Sequence, residues 1–151
     1  MLACSHGDFR PTDTSRVRWL GWESDFAFAG RFWPTDPPLS QSEWERCRND
    51  GHRFCARIVD GEIAALAADY RYAEGIGMVA AVRTAERSRR LGYGKAVVAF
   101  VTAPILSTGR LALCETRDGN TAMIRTAQRV GFRTAGDDSL KQDGILRRDE
   151  N

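Results

Sequence analysis

From residue 52 onward the apolar positions fall into short, sharply bounded runs. "HRFCARIV" (52–59) is rich in strand formers, and Asp60-Gly61 is a strong hairpin signal. "EIAALAADYRY" (62–72) then reads as the partner strand. "IGMVAAVRT" (76–84) is apolar on both faces, as expected of a central strand covered on both sides. A helical pattern follows, "GYGKAVVAFVTAPILS" (92–107), which Pro104 is expected to kink or end. "RLALCET" (110–116) is a fourth strand, and "NTAMIRTAQRV" (120–130) a helix stopped by Gly131. The tail "DDSLKQDGILRR" (137–148) reads as a terminal pair of strands.

The first fifty residues are less regular. "SRVRWL" (15–20) alternates weakly and is taken as a first strand, and "ESDFAFAGRFW" (23–33) as a short helix broken by "PTDPP". Ser40 or Ser42 caps a second helix, "SEWERCRND", ending at Gly51. This order of strands and helices predicts a mixed sheet with helices packed on it.

With 151 residues the chain fits one domain around one core. Its net charge of +2 is too balanced for a general nucleic-acid binder. Cys4, Cys47, Cys55 and Cys114 include no Cys-x-x-Cys pair, and His6 and His52 are the only histidines. A zinc site of closely spaced ligand pairs is therefore not expected, and idle thiols in a reducing cytoplasm are. There is no apolar run of about 18 residues to span a membrane, nor the apolar core of a signal peptide at the N-terminus. The expected setting is cytoplasmic.

The positive charge is local. "RTAERSRRLGYGKAVV" (83–98) carries Arg83, Arg87, Arg89, Arg90 and Lys95 against Glu86. A Walker loop would need glycine where Arg89 stands and a hydroxyl where Ala96 stands. A dinucleotide fingerprint would need a third glycine at Val97. What remains is Arg89-x-x-Gly92-x-Gly94 between a central strand and a helix. The glycines let the main chain approach a ligand, the helix start offers free N–H groups, and the arginines add charge-assisted hydrogen bonds. That chemistry suits a pyrophosphate with no obligatory metal. A merely solvated basic stretch is the plain alternative, but two glycines would then cost about 0.5–1 kcal/mol each without return.

Residues 82–94, "VRTAERSRRLGYG", followed at the usual separation by "NTAMIRTAQRVGF" (120–132), resemble the acetyl-coenzyme A signature of the GCN5-related N-acetyltransferases. The resemblance covers about residues 50–135. It implies an α+β, three-layer fold: a mixed, mostly antiparallel central sheet with helices on both faces. It further implies that acetyl-coenzyme A lies where "MVAAVRT" and "LALCET" splay apart. The pantetheine arm would pair with the main chain of Val82, Arg83 and Thr84. The pyrophosphate would sit on Arg89, Arg90, Leu91, Gly92, Tyr93, Gly94 and Lys95, with Asn120 reaching the pantetheine or the acceptor side. The implied reaction is direct attack of an amine on the thioester, with no metal.

The attacking amine must be neutral, whereas lysine-type amines have pKa of about 10.4 and α-amines about 8, so a base helps. Glu115 matches the base glutamate of relatives that acetylate protein N-termini. It shares a strand face with Leu111 and Leu113, so partial desolvation is expected; the alternative is a strand-end glutamate facing solvent. Asp69 and Glu74 are lesser candidates. The tyrosine that many relatives place seven residues after the asparagine is Ala127 here, and Tyr70, Tyr72 and Tyr93 offer no obvious substitute. Either water returns the proton, or the domain binds an acyl-coenzyme A without turning it over. Cys114 is expected to be a buried structural thiol. Trp19, Trp22, Phe26, Phe28, Phe32 and Trp33 are candidate walls of an acceptor pocket, although packing explains them equally well. Pairing through the last strands would make a homodimer.

Overall fold

A computed structural model describes residues 1–33 and 37–135. Seven strands are found: β1 (Leu2–Cys4), β2 (Val17–Trp19), β3 (Arg53–Val59), β4 (Glu62–Ala73), β5 (Ile76–Thr84), β6 (Leu111–Cys114) and β7 (Arg133–Thr134). Four α-helices accompany them: α1 (Phe26–Phe32), α2 (Gln41–Asn49), α3 (Tyr93–Ser107) and α4 (Thr121–Val130). The strands form one open sheet in the order β2-β3-β4-β5-β6-β1-β7. Among the described residues only the β5–β6 pairing is parallel.

Local chemistry accounts for most boundaries. Asp60 and Gly61 take φ of +50° and +76°, the two left-handed residues of a tight hairpin turn between β3 and β4. Ser40, not Ser42, caps α2. Its hydroxyl accepts from the Glu43 N–H at 3.2 Å, and the Glu43 carboxylate accepts from the Ser40 N–H at 2.9 Å. Pro104 does not end α3, which runs on to Ser107. A proline removes one helical hydrogen bond, but Ile105 and Leu106 just beyond it are buried and hold the last turn.

The sheet carries apolar layers on both faces, as expected for a three-layer α+β fold. On one face α3 and α4 pack over Cys55, Ala65, Ala67 and Val79 through Val97, Val98, Val101, Ile105, Ala127 and Val130. On the other, Ala29 of α1 and Trp44 of α2 pack over Phe54, Ala56, Ile63, Leu66 and Ala68. The indole N–H of Trp44, 2% exposed, donates to the Trp22 carbonyl at 2.6 Å. Trp19 belongs to the α3 face, where it meets Phe100 with ring centroids 5.1 Å apart. It is therefore separated from the aromatic group it was expected to join.

β1 went unread in the sequence. It lies between β6 and β7, pairing Leu2 with Cys114 on one side and with Thr134 on the other. The expected terminal strands (137–148) lie outside the described residues. Among the described residues, no helix is long and apolar enough to cross a membrane.

Candidate functional site

β5 and β6 pair only from Ile76↔Leu111 to Val79↔Cys114. β6 then ends, while β5 runs on for five residues to Thr84. Beyond Val79 the β6-facing edge of β5 has no strand partner among the described residues, so its peptide groups face a gap. A bulge falls at the same place. Leu66 pairs with Arg83 and Ala68 with Ala80, leaving Ala81 and Val82 opposite the single residue Ala67. Ala81 has φ +53°, a left-handed conformation that costs an alanine about 1–2 kcal/mol. The extra residue changes which face each side chain meets. Val79 and Val82 both join the α3 face, and Ala81 the α1–α2 face.

From Thr84 the chain makes a short 3₁₀ turn at Glu86–Ser88 and enters α3 through Arg89, Arg90 and Gly92. Arg90 and Gly92 are left-handed, at φ +67° and +80°. Gly92 stands at the N-cap, and no side chain caps the helix. The first N–H groups of α3 are thereby left open to a ligand. Gly94 serves close approach: a Cβ there would lie 3.1 Å from the Thr84 hydroxyl.

These pieces wall a cleft of about 990 Å³. It gathers Val82, Arg83, Thr84, Arg89, Arg90, Gly92, Tyr93, Gly94, Lys95 and Asn120, the residues the sequence assigned to the cofactor with the exception of Leu91. Leu91 is 61% exposed and turns toward a smaller neighbouring cleft with Asp13 and Arg57. Asn120 caps α4, its side-chain oxygen accepting from the Met123 N–H at 3.3 Å. Sequence reasoning missed the α4 wall of Ala122, Met123, Arg125, Thr126 and Arg129, and also Ser88; Phe32, expected as a wall of an acceptor pocket, lines this cleft as well. Helical spacing held the signal: positions 122, 125, 126 and 129 share one face. Among the described residues, six cationic side chains line the cleft against one carboxylate, Glu86.

The proton-handling candidates are less well placed. Glu115 lies one residue past β6, is exposed and is not among the cleft walls, so the desolvation expected for it is absent. The strand simply stops before it. Asp69 is buried and held by Arg110, whose Nη2 donates at 3.0 Å, which makes it structural. Glu74 sits exposed in the β4–β5 turn. Cys114 is 2% exposed and burial pushes its thiol up to about 11, so it stays protonated at neutral pH. Cys55 is pushed up to about 12 in the same way. Tyr70 stacks on His52 with centroids 4.2 Å apart, and burial raises its pKa. Ala127 is wholly buried in the core rather than facing the cleft. Among the described residues, no three of His, Cys, Asp and Glu converge as metal ligands.

The sequence profile of the FR47-like protein family matches residues 57–140, more than half of the chain. The chain belongs to this family, within the GCN5-related N-acetyltransferase (GNAT) superfamily. The matched FR47-like region spans β3 to β7 and thus every wall of the cleft except Phe32. Solved structures agree on the fold. A GNAT-family protein from Novosphingobium aromaticivorans aligns with a TM-score of 0.69 at 23% identity, over 87% of this chain and 58% of that one. The ribosomal-protein-S18-alanine N-acetyltransferase of Escherichia coli gives 0.64 at 18%, over 80% and 78%. An aminoglycoside N-acetyltransferase in complex with CoA gives 0.63 at 16%, over 78% and 91%. The FR47-like chain spans about half the length of the first structures it matches. No curated protein matches its sequence.

Proposed function

We propose that the chain, acting as one domain, is an N-acetyltransferase that moves an acetyl group from acetyl-coenzyme A to a primary amine. The carrying observation is the uncapped start of α3, with Gly92 left-handed and arginines on both sides, opening onto the unpaired edge of β5. The donor's pyrophosphate takes the N–H groups of residues 90–95 together with Arg89, Arg90 and Lys95. Its pantetheine amides pair with the main chain of Val82 to Thr84. Support comes from the CoA complex of the aminoglycoside N-acetyltransferase that shares the fold.

The neutral amine attacks the thioester carbonyl. A tetrahedral oxyanion forms on main-chain N–H groups near the β5 bulge, the C–S bond breaks, and coenzyme A leaves as thiolate. Glu115, at the end of β6 beside the gap, takes the amine proton through water. The departing thiolate has thiol-like basicity, pKa about 8.5, so water suffices to reprotonate it.

Gly92→Glu places a carboxylate against the pyrophosphate, and Arg89→Glu reverses a charge there. Each should weaken acetyl-coenzyme A binding at least tenfold in calorimetry, a charge-assisted contact being worth about 1.5–3 kcal/mol. Unchanged affinity in both would refute the assignment. Glu115→Gln should lower turnover and flatten its rise with pH; an unaltered profile removes Glu115 from the base role. Ala127, buried where relatives keep a tyrosine, favours a second reading: an acyl-coenzyme A binding module that does not turn over. Tight donor binding with no thiol release for any amine in a broad panel would select it.

A further inference from the structure

The donor reading uses only the main chain of Arg83 and leaves its side chain without a task. Arg83 contributes main chain to the β5 edge, but the bulge at Ala81 turns its side chain away from α3 and toward α1. Its guanidinium lies over the Trp33 indole, 5.6 Å from the ring centroid. Phe32, beside Trp33 at the end of α1, lines the same cleft. Thr84, the next residue, faces α3 instead, with its hydroxyl against Gly94. Arg83 is thus on the opposite side of β5 from the helix that would hold the pyrophosphate.

Arg83 makes no ion pair among the described residues, whereas Arg18, Arg110 and Arg133 each hold an aspartate at 3.0 Å or less. A guanidinium steadied on an indole face keeps its planar fork of donors free for an oxyanion. With no bulge, the strand's alternation would put residue 83 on the α3 face. A strained alanine conformation is therefore spent on presenting this charge at the far end of the cleft.

We infer that Arg83, held on Trp33, recognises an anionic group on the acceptor, so that the preferred amine also carries a carboxylate or a phosphate. This rests on the donor reading above. The guanidinium donates two hydrogen bonds to the oxyanion, while the Trp33 ring beneath it fixes its position. The amine end then points back along β5 toward the gap where the thioester lies.

The test uses matched ligands on the coenzyme A-loaded chain: N-acetylphenylalanine against N-acetylphenethylamine for the carboxylate, and phosphoethanolamine against ethanolamine for the phosphate. The anionic member of at least one pair should bind about 10- to 100-fold more tightly, the range of a charge-assisted hydrogen bond. Which pair responds names the anion. Arg83→Leu should abolish the preference, Arg83→Lys should keep part of it, and Trp33→Leu should reduce it. Equal binding within both pairs, including none in either, overturns the inference, as does a preference that survives Arg83→Leu. Failure of coenzyme A itself to bind would show up first, and would overturn the donor reading instead.

Discussion

Gly131 offers a graded test of how the end of α4 is built. It ends α4 at φ +110°, and a Cβ there would stand 2.1 Å from the Asp8 carbonyl oxygen. That oxygen belongs to a segment pinned on several sides. The Arg10 N–H donates to the Val130 carbonyl at 2.8 Å, Arg133 pairs with Asp8 at 2.6 Å, and Phe9 packs on the main core. Gly131→Ala therefore carries three costs. The φ alone costs a non-glycine residue about 1–3 kcal/mol. The Asp8 carbonyl must retreat by more than 1 Å to reach ordinary contact at roughly 3.5 Å, which gives up the Arg10 bond, worth about 1 kcal/mol. Loosening Phe9 loses part of the roughly 1.5–3 kcal/mol that burying a phenylalanine provides. A total of about 3–5 kcal/mol follows, or a fall in Tm of about 10 °C or more. Two controls separate the causes. Gly109 has φ +77° and nothing within 4 Å, so Gly109→Ala isolates the backbone cost, about 1–2 kcal/mol. Gly7 has neither feature, and Gly7→Ala should stay within about 0.5 kcal/mol of the parent. Urea unfolding of the three variants measures the series. If Gly131→Ala is no worse than Gly109→Ala, the N-terminal segment does not press on α4 and the reasoning fails.

Two further outcomes are expected. The Asp25 carboxylate accepts from Arg18 at 2.9 Å and from the Gly21 N–H at 2.6 Å, and these bonds hold its pKa below the usual value. Because the folded pKa lies below the unfolded one, its stabilisation is present above pH about 4 and is lost as pH falls further; Asp25→Asn should flatten that acid limb in thermal melts. Ala127→Tyr should not supply a proton donor, since Ala127 is wholly buried beneath α3: overpacking of about 1–3 kcal/mol is expected, and a tenfold gain in thiol release with Tm intact would contradict this.

Where local chemistry decides an element, the sequence was legible. Asp60-Gly61, a serine cap at the start of α2 and the left-handed Gly92 and Gly131 each impose a conformation that needs no distant partner, although the choice of Ser40 over Ser42 came only from the structure. The glycine turn into α3 was readable for the same reason, because Gly92 sets the backbone there without a distant partner. Elements made by distant contacts were not. β1 is three residues long, too short for alternation to show, and its partners begin more than a hundred residues away. The bulge left no trace either, since alanine at position 81 advertises nothing of φ +53°. Glu115 illustrates the same limit: its place after Leu113 suggested a buried strand face, but the end of pairing at Cys114 left it exposed.

Charge sorts the rival readings of the arginine run. Six cations and one carboxylate in the cleft exceed the chain's whole net charge of +2, so the residues outside it are net acidic. A general polyanion binder would spread its charge over a face, to track phosphates at regular spacing. This chain concentrates it in one concavity about the open start of a helix, where low-dielectric walls focus the field on a compact ligand. The bulge at Ala81 divides that concentration in two. Arg89, Arg90 and Lys95 stay at the α3 end, while Arg83 crosses to the α1 side. A single pyrophosphate cannot occupy both ends, and it is this division of charge, more than its amount, that argues for two anionic ligands meeting across β5.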